Sequence, residues 1–273
     1  MTTAVTTTSG HSRVNLLAEL IADAVLQTER RREGVPLAAL ERRIAAASTP
    51  VPRDLAAALR APGLGVIAEL KPRSPLAGPL TDDYRPTDLA RAYTAGGAAA
   101  LSVLVHEAGF GGRPEDLATV RAVTGLPLLR KDFIVDEYQI AEARALGADA
   151  VLLIVAALEP GRLTELFRYA RALGLSVLVE VHSAAEAEQA LLSGAGVIGV
   201  NHRNLRDFSI DLGLTGRLRP RVGPERTLVA ESGVRGPADA ARLRADGADA
   251  VLVGETLMRA PDAAAAVREL TET

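Results

Sequence analysis

The segment Leu128-Leu129-Arg130-Lys131-Asp132-Phe133 climbs from aliphatic residues into a cluster of charge. Read as a strand, its side chains alternate faces. Lys131 then continues the line of Leu129 and Phe133, while Arg130 and Asp132 face the other way. Such an ammonium is either the solvated tip of a strand or an acid set at the edge of an interior. Four further apolar runs end in the same way. Two-residue alternation gives Ile67, Glu69 and Lys71; Leu178, Glu180 and His182; Gly199, Asn201 and Arg203; and Val229 and Glu231. In each run the apolar residues come first and the polar ones late. If the tips share one end of a fold, three carboxylates, two amines, a guanidinium and an amide meet there. Burying such groups is costly unless they pair or hold a ligand. Burial and neighbours also shift pKa values, and an amine out of water becomes a usable acid near neutrality. The spacing therefore predicts a site for proton transfer on an anionic substrate.

A second signal lies further along. Glu231-Ser232-Gly233 follows one late strand and Gly254-Glu255-Thr256 follows the next. Glycine lets backbone N–H groups come close to a phosphate, and loops in these positions of a barrel commonly hold one. Lys71, Ser232, Gly233, Gly254 and Glu255 form the expected phosphate-binding set, with Ser74 across the mouth.

These residues need a frame. From residue 64 onward apolar runs alternate with amphipathic segments. The strands are expected at 65–71, 100–105, 126–131, 150–155, 175–181, 196–201, 227–231 and 250–254. The helices are expected at 87–96, 114–123, 136–146, 160–173, 183–193, 212–219, 236–246 and 261–271. Start signals include Pro114, Asp136, Ser183 and Pro237, and glycines close most units. Ala145-Leu146-Gly147-Ala148-Asp149-Ala150-Val151-Leu152 nearly repeats as Ala245-Asp246-Gly247-Ala248-Asp249-Ala250-Val251-Leu252, half a cycle away. Eight such units predict an α/β fold, a closed (β/α)8 TIM barrel with an N-terminal helical extension. An open doubly wound sheet is disfavoured, because no G-x-G-x-x-G follows the first strand. Residues 1–12 read as a disordered polar tail. Residues 13–273 read as a single barrel domain, with 13–62 as a helical extension packed on it.

Composition narrows the partners. The 273 residues carry a formal net charge of -3 and no Cys. No global field favours nucleic acid, and no thiolate is available as ligand or nucleophile. No apolar run approaches the ~18 residues of a membrane span, and no signal peptide is expected. The expectation is a cytoplasmic protein, monomer or weak homodimer, with a small phosphorylated substrate and no nucleic-acid or membrane partner. No metal-ligand spacing joins His106, His182 and His202, which read as polar rim or surface residues. No fused second enzyme is expected after the eighth helix.

The blocks Ile67-Ala68-Glu69-Leu70-Lys71-Pro72-Arg73-Ser74-Pro75, Phe110-Gly111-Gly112 and Leu129 to Gln139 resemble the indole-3-glycerol phosphate synthase family. So do Val179-Glu180-Val181-His182, Gly199 to Leu205, Ala230-Glu231-Ser232-Gly233 and Val253-Gly254-Glu255. The resemblance runs from about residue 15 to the C-terminus. It implies conversion of 1-(2-carboxyphenylamino)-1-deoxyribulose 5-phosphate to indole-3-glycerol phosphate, CO2 and water without a cofactor. It implies Lys131 as the acid of ring closure and Glu180 with Lys71 as the second acid/base pair. Glu69 would position Lys71, Asn201 would orient the reacting hydroxyl, and Glu231 would tune the basic groups. Arg203 would hold the substrate carboxylate, and Phe110, Phe133, Leu152 and Leu205 would wall the ring. The early helix would border the mouth. Two loops depart from the family pattern. Leu76-Ala77 stands where Ser-Lys is usual, and Val105-His106 where Leu-Thr is usual; both loops read as lids, and the changes bear on rate and closure or on a copy serving a secondary pathway. The rival readings are another phosphosugar enzyme, such as an isomerase, and a non-catalytic binding barrel. The full acid/base set argues against both.

Overall fold

Eight runs rich in Val, Ile, Leu and Ala form the strands of one closed parallel barrel. They are β1 (Gly65–Leu70), β2 (Ala100–Leu104), β3 (Leu128–Lys131), β4 (Ala150–Ile154), β5 (Ser176–Val181), β6 (Val197–Asn201), β7 (Thr227–Glu231) and β8 (Ala250–Val253). Each strand pairs with the next, and β8 pairs with β1. The computed structural model describes residues 16–46, 50–204 and 207–273. The expected tail 1–12 and Leu205 lie outside them.

Alternation sorts the side chains. Ile67, Leu129, Leu178, Val229 and Leu252 fill the barrel interior. Val66, Ala68, Leu70, Val179 and Val181 belong to the layer between strands and outer helices. That layer is covered by α4 (Pro86–Ala95), α5 (Glu115–Arg121), α6 (Glu137–Ala145), α7 (Pro160–Ala172), α8 (Ala184–Leu192), α9 (Leu214–Val222), α10 (Pro237–Ala245) and α12 (Ala263–Thr271). The four-residue helix α11 (Glu255–Met258) follows β8. Helix starts carry their own caps: Asp136 and Gln139 form a capping box, and the Ser183 hydroxyl accepts from the Glu186 N–H. The α9 segment was expected to stop at 219, before Pro220. It continues to Val222, because a proline in the last turn forfeits one helical bond without ending the helix.

The near repeat has a structural meaning. The Asp149 carboxylate accepts from the Leu128 N–H at 2.8 Å and pairs with Arg121. The Asp249 carboxylate accepts from the Leu228 N–H at 2.7 Å and pairs with Arg219. A Cβ at Gly147 would lie 2.8 Å from Arg121, and one at Gly247 the same distance from Arg219. Both positions also have positive φ. The same clamp thus joins strands β3 to β4 and β7 to β8 on opposite sides of the barrel.

The helices before β1 close both ends. On α3 (Leu55–Leu59), Leu55 and Leu59 pack into the interior cluster at the strands' N-terminal end. There the Leu55 N–H reaches Ser176 Oγ, and Arg60 donates to Thr227 Oγ1 at 2.8 Å. Helix α2 (Leu37–Ala45) lies on α6 through Leu40, which packs with Tyr138 and Ala141. Helix α1 (Leu16–Gly34) runs to the opposite, C-terminal end. It is pinned by Arg31 to Glu142 at 2.9 Å, by Arg32 to Asp136, and by Asp23, whose carboxylate lies 3.4 Å from His106 Nε2. Among the described residues no helix is long and apolar enough to cross a membrane.

Candidate active site

The late polar residues of β1, β3 and β7 line one cavity of about 550 Å³ at the C-terminal mouth. That volume suits a small organic ligand. The geometry centres on Lys131. Its ammonium donates to Glu180 Oε2 at 3.0 Å and lies 3.5 Å from Glu231 Oε2. Glu180 Oε1 accepts from the Asn201 amide at 3.1 Å. Strand register brings these groups together: Glu180 sits opposite Gly199 and Ile154, and Asn201 opposite Glu231. Gly199 leaves room there for the Glu231 carboxylate, whose Oε1 would lie 2.0 Å from a Cβ at that position. Across the mouth, Lys71 pairs with Glu69 at 2.8 Å. Gly254 makes room for that pair: its Cβ would lie 2.5 Å from Glu69 Oε1 and 3.0 Å from Lys71 Nζ.

The charge states differ from one carboxylate to the next. Burial raises the Glu180 carboxyl, but the Lys131 ammonium, His182 and the Asn201 amide together outweigh it and hold Glu180 at about 2. Glu231 is pushed up to about 8, by burial first, against the pull of Lys131 and with Glu180 and Glu69 adding to the rise. One of the two buried carboxyls therefore keeps a proton near neutrality. The expectation that burial makes Lys131 a weaker base is corrected by its neighbours. Burial lowers the ammonium, but Glu180, Glu231 and Glu69 more than offset it and hold it above the ordinary amine range.

A raised folded-state pKa on Glu231 favours the protonated form in the fold. Its stabilising contribution is complete below the unfolded value of about 4.3 and is lost as pH rises through about 8. Glu231→Gln mimics the protonated form. Its melting temperature relative to the parent protein should therefore rise between about pH 5 and pH 9. A difference that stays constant over that range would contradict this state for Glu231.

Part of the cavity's lining is apolar. Phe110 and Phe133 stand 6.1 Å apart, centroid to centroid, and Leu152 lines the same cavity. Leu16, Leu17 and Leu20 of α1 complete this wall. Arg203 lines the same cavity; its N–H donates to Asn201 Oδ1 at 3.1 Å and its guanidinium to the Phe208 carbonyl at 3.3 Å. The same cavity is also lined by Lys71, Ser74, Ser232, Gly233, Gly254 and Glu255. Ser232 and Gly233 are both left-handed, with φ of 66° and 85°. For serine that conformation costs about 1–2 kcal/mol and marks a turn held by its surroundings. The Ser74 hydroxyl accepts from the Leu76 and Ala77 N–H groups of its own short hairpin, Arg73–Ser74 with Gly78–Pro79.

The structure thus gathers Glu69, Lys71, Ser74, Phe110, Lys131, Phe133, Leu152, Arg203, Glu231, Ser232, Gly233, Gly254 and Glu255 around one cavity. Glu180 adjoins this lining through its bond to Lys131, and Asn201 through its bond to Glu180. The reading of the histidines as rim or surface groups is corrected for two of them. His202 is buried, with its ring nitrogens at the Ser232 carbonyl (2.9 Å) and Thr215 Oγ1 (2.7 Å), tying the loop after β6 to the loop after β7. His106 is buried between Asp23 and Asp132, with its ring 5.1 Å from Phe133. Sequence reasoning also missed Arg235 and Arg259, which add cations beside the two glycine loops. Their positions, three residues after Ser232 and five after Gly254, were a signal to be had.

The sequence profile of the indole-3-glycerol phosphate synthase family matches residues 17–270. The chain is 63% identical over 255 residues to indole-3-glycerol phosphate synthase 2 of Streptomyces coelicolor, covering 93% of this chain and 98% of that protein. It is 51% identical to an indole-3-glycerol phosphate synthase of Saccharopolyspora erythraea, over 92% of this chain and 93% of that protein. Among solved structures it resembles an N-acetylmannosamine-6-phosphate 2-epimerase of Clostridium perfringens, with TM-score 0.60 and 15% identity, over 77% of this chain and 93% of that one. At that identity the likeness is one of fold.

Proposed function

The chain belongs to the indole-3-glycerol phosphate synthase family, and from that premise we propose how its mouth performs the reaction. It is a decarboxylating lyase of tryptophan biosynthesis that closes the pyrrole ring of 1-(2-carboxyphenylamino)-1-deoxyribulose 5-phosphate. The aromatic ring lies between Phe110 and Phe133 over Leu152, under the leucines of α1. Arg203 grips its carboxylate, for which a guanidinium offers two parallel donors. The phosphate rests on backbone N–H groups around Ser232, Gly233, Gly254 and Glu255, facing Lys71.

Ring closure turns a carbonyl oxygen into an alkoxide. Lys131 gives it a proton; an alkoxide is a stronger base than an amine, so the transfer runs downhill even though carboxylates surround the ammonium. Loss of CO2 restores the aromatic ring. Dehydration then needs an acid for the hydroxyl and a base for a ring proton. Lys71, aimed by Glu69, supplies the first. Glu180, held ionised, takes the second and returns it to Lys131 over 3.0 Å. Asn201 orients the hydroxyl, and Glu231 tunes Lys131. The substrate's carboxylate leaves as neutral CO2, so each turnover takes up one proton, which Lys71 recovers from the mouth.

The observation that carries this reading is the hydrogen-bonded Lys131–Glu180–Asn201 array at a cavity lined by both an aromatic pair and two glycine loops. Incubating the purified protein with the carboxyphenylamino sugar phosphate should release the fluorescent indole product. No product would overturn the reading, and isomerised substrate would favour a sugar isomerase. Arg203→Ala should raise KM by about 10–100-fold, the worth of a charged hydrogen bond, while kcat changes little. An unchanged KM would remove Arg203 from the carboxylate. A cytoplasmic place fits the Cys-free composition, and a monomer or weak homodimer is proposed.

A further inference from the structure

Behind Glu180 stands a pair of groups that the reaction above does not use. His182 follows Glu180 by two residues, and its Nε2 lies 3.4 Å from Glu180 Oε1. That nitrogen is buried and forms no well-aligned hydrogen bond among the described residues. Its Nδ1 lies 3.2 Å from Glu186 Oε2, and the same carboxylate oxygen accepts from the His182 backbone N–H at 2.9 Å. Glu186 is fixed in turn by the Ser183 hydroxyl at 3.2 Å, at the start of α8. Both ring nitrogens thus face carboxylates, one on the catalytic strand and one on the helix that follows it.

We propose that Glu186 and His182 form a positioning dyad that keeps Glu180 an ionised base and fixes the direction of its lone pairs. An imidazole with a carboxylate at each nitrogen is best satisfied when both nitrogens carry protons. The ring then presents a cation to Glu180 from the side opposite Lys131. The charged groups around it are Glu180 on β5, Glu186 on α8 and Lys131 on β3. Burial and Lys131 lower the imidazole's basicity, but the two carboxylates outweigh them and the net direction is upward. Glu180 therefore has Lys131 on Oε2, and Asn201 and His182 on Oε1. When Lys131 gives its proton to the alkoxide, its cation is lost, and His182 remains as the cation beside the carboxylate, with the Asn201 amide, for the next step. The dyad acts through Glu180 and touches no substrate. It rests on the reading of Glu180 as the base.

The test is the pH profile of the purified enzyme acting on the carboxyphenylamino sugar phosphate. His182→Asn should lower kcat by about tenfold, leave KM within about twofold, and move the acidic limb of kcat up by about one pH unit, as loss of a nearby opposite charge does. Glu186→Gln should move the same limb in the same direction by less. A His182→Asn profile that superimposes on the parent overturns the proposal, as does a loss of kcat with raised KM and an unmoved limb. If His182→Asn does not fold, Glu186→Gln decides, and an unmoved limb overturns it. Glu180→Gln separates the two ideas. If it is active, the reading of Glu180 is wrong; if it is inactive while His182→Asn behaves as the parent, only the dyad fails.

Discussion

Lys131→Met should lower turnover by about two to four orders of magnitude and leave the barrel folded. Methionine keeps the length and flexibility of the stem but carries no proton to give. The alkoxide formed at ring closure would then develop in a buried site beside carboxylates with no acid to neutralise it. The fold should survive because Glu180 keeps the Asn201 amide at 3.1 Å and His182 at 3.4 Å, and Glu231 already favours its protonated form. Steady-state turnover by indole fluorescence, with circular dichroism as the control, measures both halves. Turnover within a few-fold of the parent would remove Lys131 from the acid role.

Arg130→Met should cost about 3–5 kcal/mol of stability, the loss typical of breaking a buried ion pair from one side. Arg130 is fully buried between β3 and α6. It gives two bonds to Asp132, at 3.1 and 2.8 Å, one to Glu142 at 2.8 Å and one to the Gln139 carbonyl at 3.0 Å. Methionine fills part of the space but leaves two buried carboxylates without their cation. Glu142 also holds Arg31 of α1, so the loss should reach the helix that walls the cavity. For a barrel of this size the melting temperature should fall by roughly 6–20 °C. A fall under ~2 °C would mean that the carboxylates find other partners, and that the network contributes little. The two variants separate the faces of one strand, chemistry inward and stability outward.

That separation was half legible in the sequence. Alternation put Lys131 on the inner line and Arg130 and Asp132 on the other; the barrel bears this out for Lys131 and Arg130, while Asp132, just past the strand, pairs with Arg130 and also lines the cavity. Alternation is a local rule, so it could not say that α6 would seal Arg130 from water. The strands were readable because each is an apolar run between turn residues, and their observed limits fall within two residues of those expected. The helix expected at 212–219 runs on to Val222, because a proline in the last turn forfeits one bond without ending the helix. The floor made by Leu55 and Leu59, and the cover made by Leu16, Leu17 and Leu20, depend on tertiary contacts with the barrel, for which periodicity carries no signal. The Glu186–His182 pair was within reach. Ser183-Ala184-Ala185-Glu186 has capping-box spacing, and a carboxylate held there lies four residues from a histidine next to the catalytic strand. Lys131's raised basicity was not, since it needs the three carboxylates counted in space.

On the proposed mechanism Lys131 delivers its proton to the sugar carbonyl while the phosphate sits on the two glycine loops. The most direct measurement is a crystal structure with the substrate analogue whose carbonyl is reduced to a hydroxyl. The hydroxyl oxygen should lie within hydrogen-bond reach of Lys131 Nζ, the phosphate against Gly233 and Gly254, and the ring between Phe110 and Phe133. A bound analogue whose hydroxyl lies out of reach of Lys131, or whose phosphate rests against the aromatic pair, would contradict the account.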